Sequence, residues 1–515
     1  MSLTFSPAPP SVAQHQWACS KRKPPPPWIG VGMTTEEPAA QPAGTLHRAL
    51  RMRHLVTLSI GGTVGSGFFL GAGGAISTAG PGVVITYLVA GLVVVGVMAC
   101  LAELSVQGQT AGGFAIYAQQ RLGPWAGFLT GWNYWLAWVA GMGAEGIAVG
   151  TYVHSLSAFH GIPIWLIALV VVGADFGINL VGVLTMGNYE FILSTIKIVA
   201  LVVFAIACLV TVTGVAGHGN GLDFLTGEGG LFPTGVHGLF ASFLIVFFAF
   251  TGVEMINISA EETVKPERDI PRALIGTAAG VMVLFIAAVL ALATAIPWNQ
   301  LGTSSSPFYD ALQALHFPLL ANLMVLAIII SSISALDTGL YASSRMLFAL
   351  SREGYFPERM SRTHPTRKVP VGALLLCGVC IFAGVLLDVV MPSYAFLFLG
   401  SLATLGFMWA YVLIPILQIL YRRSLSKDEV KQLRWRVPGY PLTPLICVSL
   451  VLVAIIAPIF QNNPGMFGIN AGLLPVVAGA VWVAVWSIYY VVVGRRFKRR
   501  SEAVVNPRNY SADQV

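Results

Sequence analysis

The chain has 515 residues, of which 56% are hydrophobic and only 10% charged, and its formal charge is +7. Soluble domains carry about 25% charged residues because a water-facing surface has to be solvated, so most of this surface faces hydrocarbon. A soluble enzyme is excluded, no nucleic-acid partner is expected, and the positive charge has to be explained by where it falls along the chain.

In chain order, residues 1–32 are Pro-rich (Pro24 to Pro27) and basic (Lys21, Arg22, Lys23), with no apolar h-region, and so are not a signal peptide. Two readings stay open for them: a disordered cytosolic tail, or an extension ahead of a start at Met33. Apolar runs long enough to cross ~30 Å of hydrocarbon then recur to the end of the chain. They lie near 54–78, 82–106, 124–152, 162–181, 188–214, 236–260, 271–297, 320–347, 369–389, 393–420, 442–461 and 468–493. Backbone groups in lipid have no water to bond, so these runs are expected to be helices. The expected fold class is an all-α polytopic membrane protein with twelve transmembrane helices.

Charge placement tests that count independently, because Lys and Arg gather in cytoplasmic loops. They cluster in the N-terminal segment (Arg48, Arg51, Arg53), at Arg121 between spans 2 and 3, and at Lys265, Arg268 and Arg272 between spans 6 and 7. Further clusters run from Arg345 to Lys368, from Arg422 to Arg436, and from Arg495 to the C-terminal tail. All but Lys197 of the 29 basic residues fall on one side of a twelve-span arrangement. Both termini are therefore expected in the cytoplasm, in a multi-pass protein of the cell membrane. The expected division is a cytosolic tail at 1–49, spans 1–5 at 50–235, spans 6–10 at 236–420, spans 11–12 at 421–494 and a cytosolic tail at 495–515.

Two spans carry breaks. Span 1 holds Gly61, Gly62, Gly65 and Gly67 with Thr63 and Ser66 between them, more small residues than close packing of helices requires. Glycine lowers the cost of unwinding, and an unwound segment frees N–H groups at the start of the second half-helix. With the positive end of the helix dipole, those donors suit a carboxylate. Span 6 carries a single Gly252 beside Thr251, with Glu254 two residues on. Spans 1 and 6 each open a five-helix block, and interrupted helices at matching places point to a transporter site at mid-membrane.

Six cysteines fall in the tail or in apolar runs; Cys377 and Cys380 read as a packing pair rather than a zinc or redox site, and no disulfide, metal or cofactor is expected. A membrane enzyme would need a His or Asp cluster or a nucleophile with its base, and the nine histidines are scattered. A nutrient sensor would carry a cytosolic signalling extension beyond short tails.

The chain resembles the amino acid transporter family of the amino acid–polyamine–organocation superfamily, the bacterial and fungal amino acid permeases. The resemblance rests on Gly61-Gly62-Thr63-Val64-Gly65-Ser66-Gly67-Phe68-Phe69-Leu70, Ala79-Gly80-Pro81-Gly82, Gly131-Trp132-Asn133-Tyr134-Trp135 and Phe250-Thr251-Gly252-Val253-Glu254. It also rests on Glu262 with Pro266, Ile270-Pro271-Arg272-Ala273 and Tyr341-Ala342-Ser343-Ser344-Arg345-Met346-Leu347, and it covers roughly Leu50 to Arg500. It implies the leucine-transporter-like fold, a 5+5 inverted repeat with helices 1 and 6 broken and two peripheral helices, and proton-coupled uptake of an amino acid. Exchange of one amino acid for another is a variant of the same reading. By similarity, the backbone of Val64, Gly65, Ser66 and Gly67 with the Ser66 hydroxyl would hold the substrate carboxylate, and carbonyls at Phe250, Thr251 and Gly252 its ammonium.

Ionisable groups inside spans cost at least ~2.5–3.5 kcal/mol to insert. Lys197 lies inside span 5, and two readings are open: its stem snorkels to the interface, or it is buried and carries the coupled proton. Relatives of the family often carry a lysine here that stands in for a sodium ion. Glu145 and Glu254 read as packed, hydrogen-bonded carboxyls or as groups of the pocket and proton path. Glu103, Glu190 and Glu262 lie nearer the cytoplasmic rim and read as structural or gating. Asp337 departs from the family pattern, which has asparagine there, so the proton is assigned either to Lys197 alone or to a coupled pair. Trp132, Trp135 and Trp138 read as packing and belt residues.

Overall fold

The computed structural model describes residues 46–505 apart from 47, 107–111, 155, 182, 213–222, 224, 226, 228, 302–305, 393 and 458–472. The two readings of residues 1–32 lie outside the described residues. Within them, apolar runs close their backbone hydrogen bonds as helices, as hydrocarbon demands, and the sole β pairing is a parallel bridge from Leu50 to Thr263.

The first run is interrupted: α1 (Met52–Thr63) stops, Val64 and Gly65 are non-helical, and α2 (Ser66–Phe69) and α3 (Gly71–Ala79) continue at a 48° bend. Then come α4 (Val83–Ser105), α5 (Phe114–Leu122), α6 (Pro124–His154), α7 (Ile164–Asn179) and α8 (Val183–Val212). The sixth run starts as α9 (Gly235–Ala249), leaves helical geometry at Phe250 to Gly252, and resumes as a 3₁₀ stretch, Val253–Glu262. The rest is α10 (Pro266–Ala295), α11 (Pro307–Ala314), α12 (Pro318–Arg352), α13 (Val371–Val390), α14 (Ala395–Ser424), α15 (Lys427–Gln432), α16 (Leu442–Ile456) and α17 (Leu473–Val505).

Among the described residues, 8 helices are long and apolar enough to cross a membrane, and the bent pair at span 1 raises the number to 9. Three shorter apolar stretches, Ile164–Asn179, Leu442–Ile456 and Val476–Val492, sit where spans 4, 11 and 12 are expected. Their described lengths fall short of the ~20 residues that cross hydrocarbon unaided. The sequence assigned no element to α5, α11 or α15, which are short helices within connections.

α6 lies at the centre, packed against α12 and α14, while α1, α8 and α12 pack on one another and α4 packs on α10. The outer faces are apolar and exposed: on α8 they carry Ile192, Val199, Ile206 and Leu209, and on α12 Leu319, Leu323 and Leu326. Hydrocarbon rather than water suits such a surface. α12 and α14 run past the apolar zone to a basic end of the bundle, which buries its acids in pairs. There Arg345 Nη2 meets Glu262 Oε1 at 3.1 Å, and Arg422 together with Gln418 and the Val437 N–H satisfies Glu103. Two of the three rim acids read from sequence as structural or gating, Glu103 and Glu262, are thus ion-paired. At the same end the Ala49 and Leu50 amides both donate to the Glu262 carbonyl at 2.9 Å, strapping the chain ahead of α1 to the end of span 6.

Candidate functional site

The break in span 1 follows from its glycines. Without side chains, Gly61, Gly62 and Gly65 let neighbours approach the backbone: an added β-carbon would stand 2.2 Å from a Glu190 oxygen, 2.8 Å from the Trp138 ring and 2.5 Å from a Glu145 oxygen respectively. Unwinding at Val64 and Gly65 leaves carbonyls from the end of α1 and an amide at the start of α2 without helical partners, and side chains from distant spans take them up. The Ser66 N–H donates to both Glu145 oxygens, at 2.9 and 3.0 Å. Lys197 Nζ donates to the carbonyls of Val64 (2.8 Å), Gly61 (3.1 Å) and, from α12, Ser331 (3.4 Å), while the Ser331 hydroxyl donates to the Val64 carbonyl at 2.6 Å. Lys197 is fully buried. It does not snorkel: the neighbours Ile196 and Val199 face outward on α8, and the ammonium faces in.

The break in span 6 lies directly against that in span 1. Gly252 has φ +110°, and a β-carbon there would sit 2.8 Å from the Gly62 carbonyl carbon and 3.1 Å from the Thr63 nitrogen. Glu254 holds this segment from within. Its carboxyl accepts from the Gly252 N–H at 3.0 Å, the Tyr134 hydroxyl of α6 at 3.0 Å and the Tyr411 hydroxyl of α14 at 2.9 Å. The Tyr411 hydroxyl also lies 3.1 Å from the Phe250 carbonyl. With three donors on it, Glu254 is a packed, hydrogen-bonded carboxyl that shapes the break.

Val64 to Gly67, Phe250 to Gly252, Glu145 and Lys197 therefore converge on one buried locus, although residues 79 and 133 positions apart have to meet to build it. Asp337 stands apart on α12, where its Oδ1 accepts from Asn179 Nδ2 at 2.6 Å. Trp138 packs against Gly62 and makes an edge contact with Phe407, 5.1 Å between ring centroids, in keeping with its packing role. Sequence reasoning missed Asp175, an acid inside span 4, and assigned Glu190 to the rim, whereas it lies buried against Gly61. An acid in an apolar run was the available signal for Asp175.

A groove of about 520 Å³ between α8, α11 and α12 is lined by apolar side chains such as Phe191, Val203 and Leu323, with Thr195 as its polar exception. It opens on the lipid-facing side and offers no ionic partner to a zwitterion. Among the described residues no cluster of His, Cys, Asp and Glu is arranged to hold a metal.

Residues 54–502 match the amino acid permease family. The chain is 33% identical over 470 residues to the uncharacterized amino acid permease YtnA of Bacillus subtilis, covering 90% of this chain and 98% of that one. It is 32% identical to the L-asparagine permease of Streptomyces coelicolor (85% and 89% covered) and 29% identical to the D-serine/D-alanine/glycine transporter of Escherichia coli (88% and 97%). Among solved structures it is similar to MhsT in complex with L-phenylalanine, with TM-score 0.55 and 15% identity, over 80% of this chain and 99% of the other. A manganese transporter of Eremococcus coleocola aligns with TM-score 0.54 and 17% identity, over 87% and 95%. The fold is leucine-transporter-like and all-helical.

Proposed function

The chain belongs to the amino acid permease family and is an amino acid transporter of the membrane, and from that premise we propose that it imports a free amino acid together with a proton by alternating access. The observation that carries this reading is the occupancy of the span 1 break. It already holds a carboxylate, Glu145, on its amide side and an ammonium, Lys197, on its carbonyl side. A free amino acid presents the same two groups.

In this reading the substrate carboxylate takes the Ser66 N–H, with Val64, Gly65 and Gly67 as the surrounding backbone, and displaces Glu145. Two charged carboxylates repel each other at a single donor, so Glu145 gives up the Ser66 N–H to the substrate. The substrate ammonium lies toward the carbonyls of Phe250, Thr251 and Gly252, of which Phe250 already serves the Tyr411 hydroxyl. Lys197 holds the transported proton: a buried lysine gives it up when its carbonyl cage opens. Asp337 belongs to the proton path, and Glu254 to the support of the break. The names of relatives support neutral amino acids as the substrate class, γ-aminobutyric acid, L-asparagine and D-serine, D-alanine or glycine among them.

The three shorter apolar helices complete twelve spans, arranged as two inverted five-helix halves at 50–235 and 236–420 with spans 11 and 12 outside them. The one-sided Lys and Arg distribution supports cytoplasmic termini and a cytoplasmic basic end.

The test is uptake of a radiolabelled amino acid panel into right-side-out membrane vesicles, with and without an inward proton gradient. The wild type concentrates its substrate only with the gradient, whereas Lys197→Ala loses accumulation and keeps exchange. Accumulation by Lys197→Ala with an unchanged pH profile overturns the lysine as carrier. Equal competition by the substrate and its decarboxylated amine overturns the carboxylate site.

A further inference from the structure

Three buried carboxyls lie between the transport site and the basic end: Glu190 on α8, Asp337 on α12 and Asp175 on α7, which are 0%, 0% and 3% exposed. Each keeps an oxygen with no hydrogen-bond partner among the described residues, namely Glu190 Oε2, Asp337 Oδ2 and Asp175 Oδ1. Buried carboxyls are ordinarily satisfied by several donors, as Glu254 is, so three under-satisfied ones together are not explained by packing.

They are electrostatic neighbours of one another, and Glu190 is also a neighbour of Lys197. Glu190 Oε1 accepts from the Ser194 hydroxyl at 2.6 Å and from the Ser334 hydroxyl of α12. It rests on the α-carbon of Gly61, the residue whose carbonyl takes the Lys197 ammonium at 3.1 Å. Thr338 lies against the same glycine, 2.6 Å from where a β-carbon would be, and the adjacent Asp337 accepts from Asn179, the last residue of α7. Asp175 is one turn earlier on α7, within electrostatic reach of both Glu190 and Asp337.

The charged and titratable groups around the series are few. Lys197 and Tyr189 come from α8, Glu145 faces Lys197 from α6, Arg345 is the nearby cation on α12, and His54 on α1 packs beside Gly187 at the start of α8. Arg345 is committed to Glu262. That leaves Lys197 as the nearby buried cation, which faces Glu145 as well as Glu190, and like charges this close in a low dielectric cannot all ionise, so the series holds protons.

We propose that Glu190, Asp337 and Asp175 form a proton-release relay leading from Lys197 to the basic end of the bundle. The inference rests on Lys197 as the proton carrier and on the basic end as cytoplasmic. An N–H bond of the Lys197 ammonium breaks, leaving the neutral amine, while an O–H bond forms on a Glu190 oxygen. The same exchange then passes one proton to Asp337, to Asp175 and to water beyond Asn179. One proton crosses for each carrier reset, and nothing is oxidised or reduced. Asn179 and Thr338 act as positioning residues.

Net uptake driven by an inward proton gradient, and substrate exchange without a gradient, are measured side by side in right-side-out vesicles for Asp175→Asn, Asp337→Asn and their double variant. Exchange cycles the loaded carrier and needs no proton release, so it persists and reports folding. Net uptake falls by about a hundredfold in each single variant, the lower end of what loss of a positioned proton-transfer group costs. The double variant is no slower than the slower single one, because the groups act in series. Raising the internal pH restores net uptake in the variants, since release directly to water becomes faster, and leaves the wild type flat. Parallel loss of exchange and net uptake assigns the carboxyls a structural role and overturns the relay. Unchanged net uptake overturns it too, as does a loss that internal pH leaves unaltered. A wild type that does not accumulate substrate with the gradient brings down the symport reading and the relay together, which separates that failure from failure of the relay alone.

Discussion

Gly252 shows how much one missing side chain decides. Its φ of +110° lies in the left-handed region, where a side chain costs about 1–2 kcal/mol. A β-carbon there also meets the backbone of Gly62 and Thr63, which has no rotamer to yield. Gly252→Ala is expected to lower the melting temperature of the detergent-purified protein by several degrees and to abolish uptake. Gly280→Ala, on the exposed face of α10 with nothing within 4 Å, is the matched control. It is expected to be neutral or to stabilise by about 0.5–1 kcal/mol, the usual gain of Ala over Gly inside a helix. Equal melting temperatures for the two variants would show that the breaks do not need their close approach. At this scale the sequence exposed the glycines, but the atoms each one admits belong to other spans and were not readable from it.

Between elements, the basic end is closed by a buried ion pair rather than by apolar packing. Arg345 of α12 reaches Glu262 at the end of span 6 with Nη2 at 3.1 Å and Nε at 3.4 Å, the Tyr341 hydroxyl also donates to that carboxylate, and the guanidinium lies 4.1 Å from the Tyr341 ring centroid. Removing one partner strands the other charge in the interior, at a cost of about 3–5 kcal/mol. Arg345→Met is therefore expected to destabilise the purified protein strongly, and Arg345→Met with Glu262→Gln to recover most of the loss. Thermal unfolding of the single and double variants measures this. Additive losses would mean that the two groups act independently. The sequence located both residues and assigned Glu262 to structure or gating; that they pair depends on spans 6 and 8 ending side by side.

For the whole molecule, the twelve-span reading makes a topological prediction. Single cysteines placed in a cysteine-free background at Arg268 and Lys427, both in basic connections, are expected to react with a membrane-impermeant thiol reagent only after the vesicles are opened. Cysteines at His160 and Leu231, in connections without Lys or Arg, are expected to react in intact right-side-out vesicles. Labelling of both sets from one side would break the span count. The positive-inside rule sets this expectation, and the short helices α7 and α16 are where a miscount would arise.

Composition and the spacing of charge determined, without any structure, that the chain is a helical multi-pass membrane protein, where its apolar runs lie and which span is unwound. These are one-dimensional signals, because hydrocarbon imposes the same demand on every residue that enters it and glycine alters the backbone at its own position. Tertiary structure alone decided what fills the break. The Ser66 amide is already engaged by Glu145 rather than left free, and Lys197 caps carbonyls instead of snorkelling. Asp175 and Glu190 gather with Asp337, and of the three it is Glu190 that neighbours Lys197. Each of those pairings joins groups that chain order separates and that come together only where α1, α6, α7, α8 and α12 pack, because a buried charge is stabilised by the donor or acceptor nearest in space.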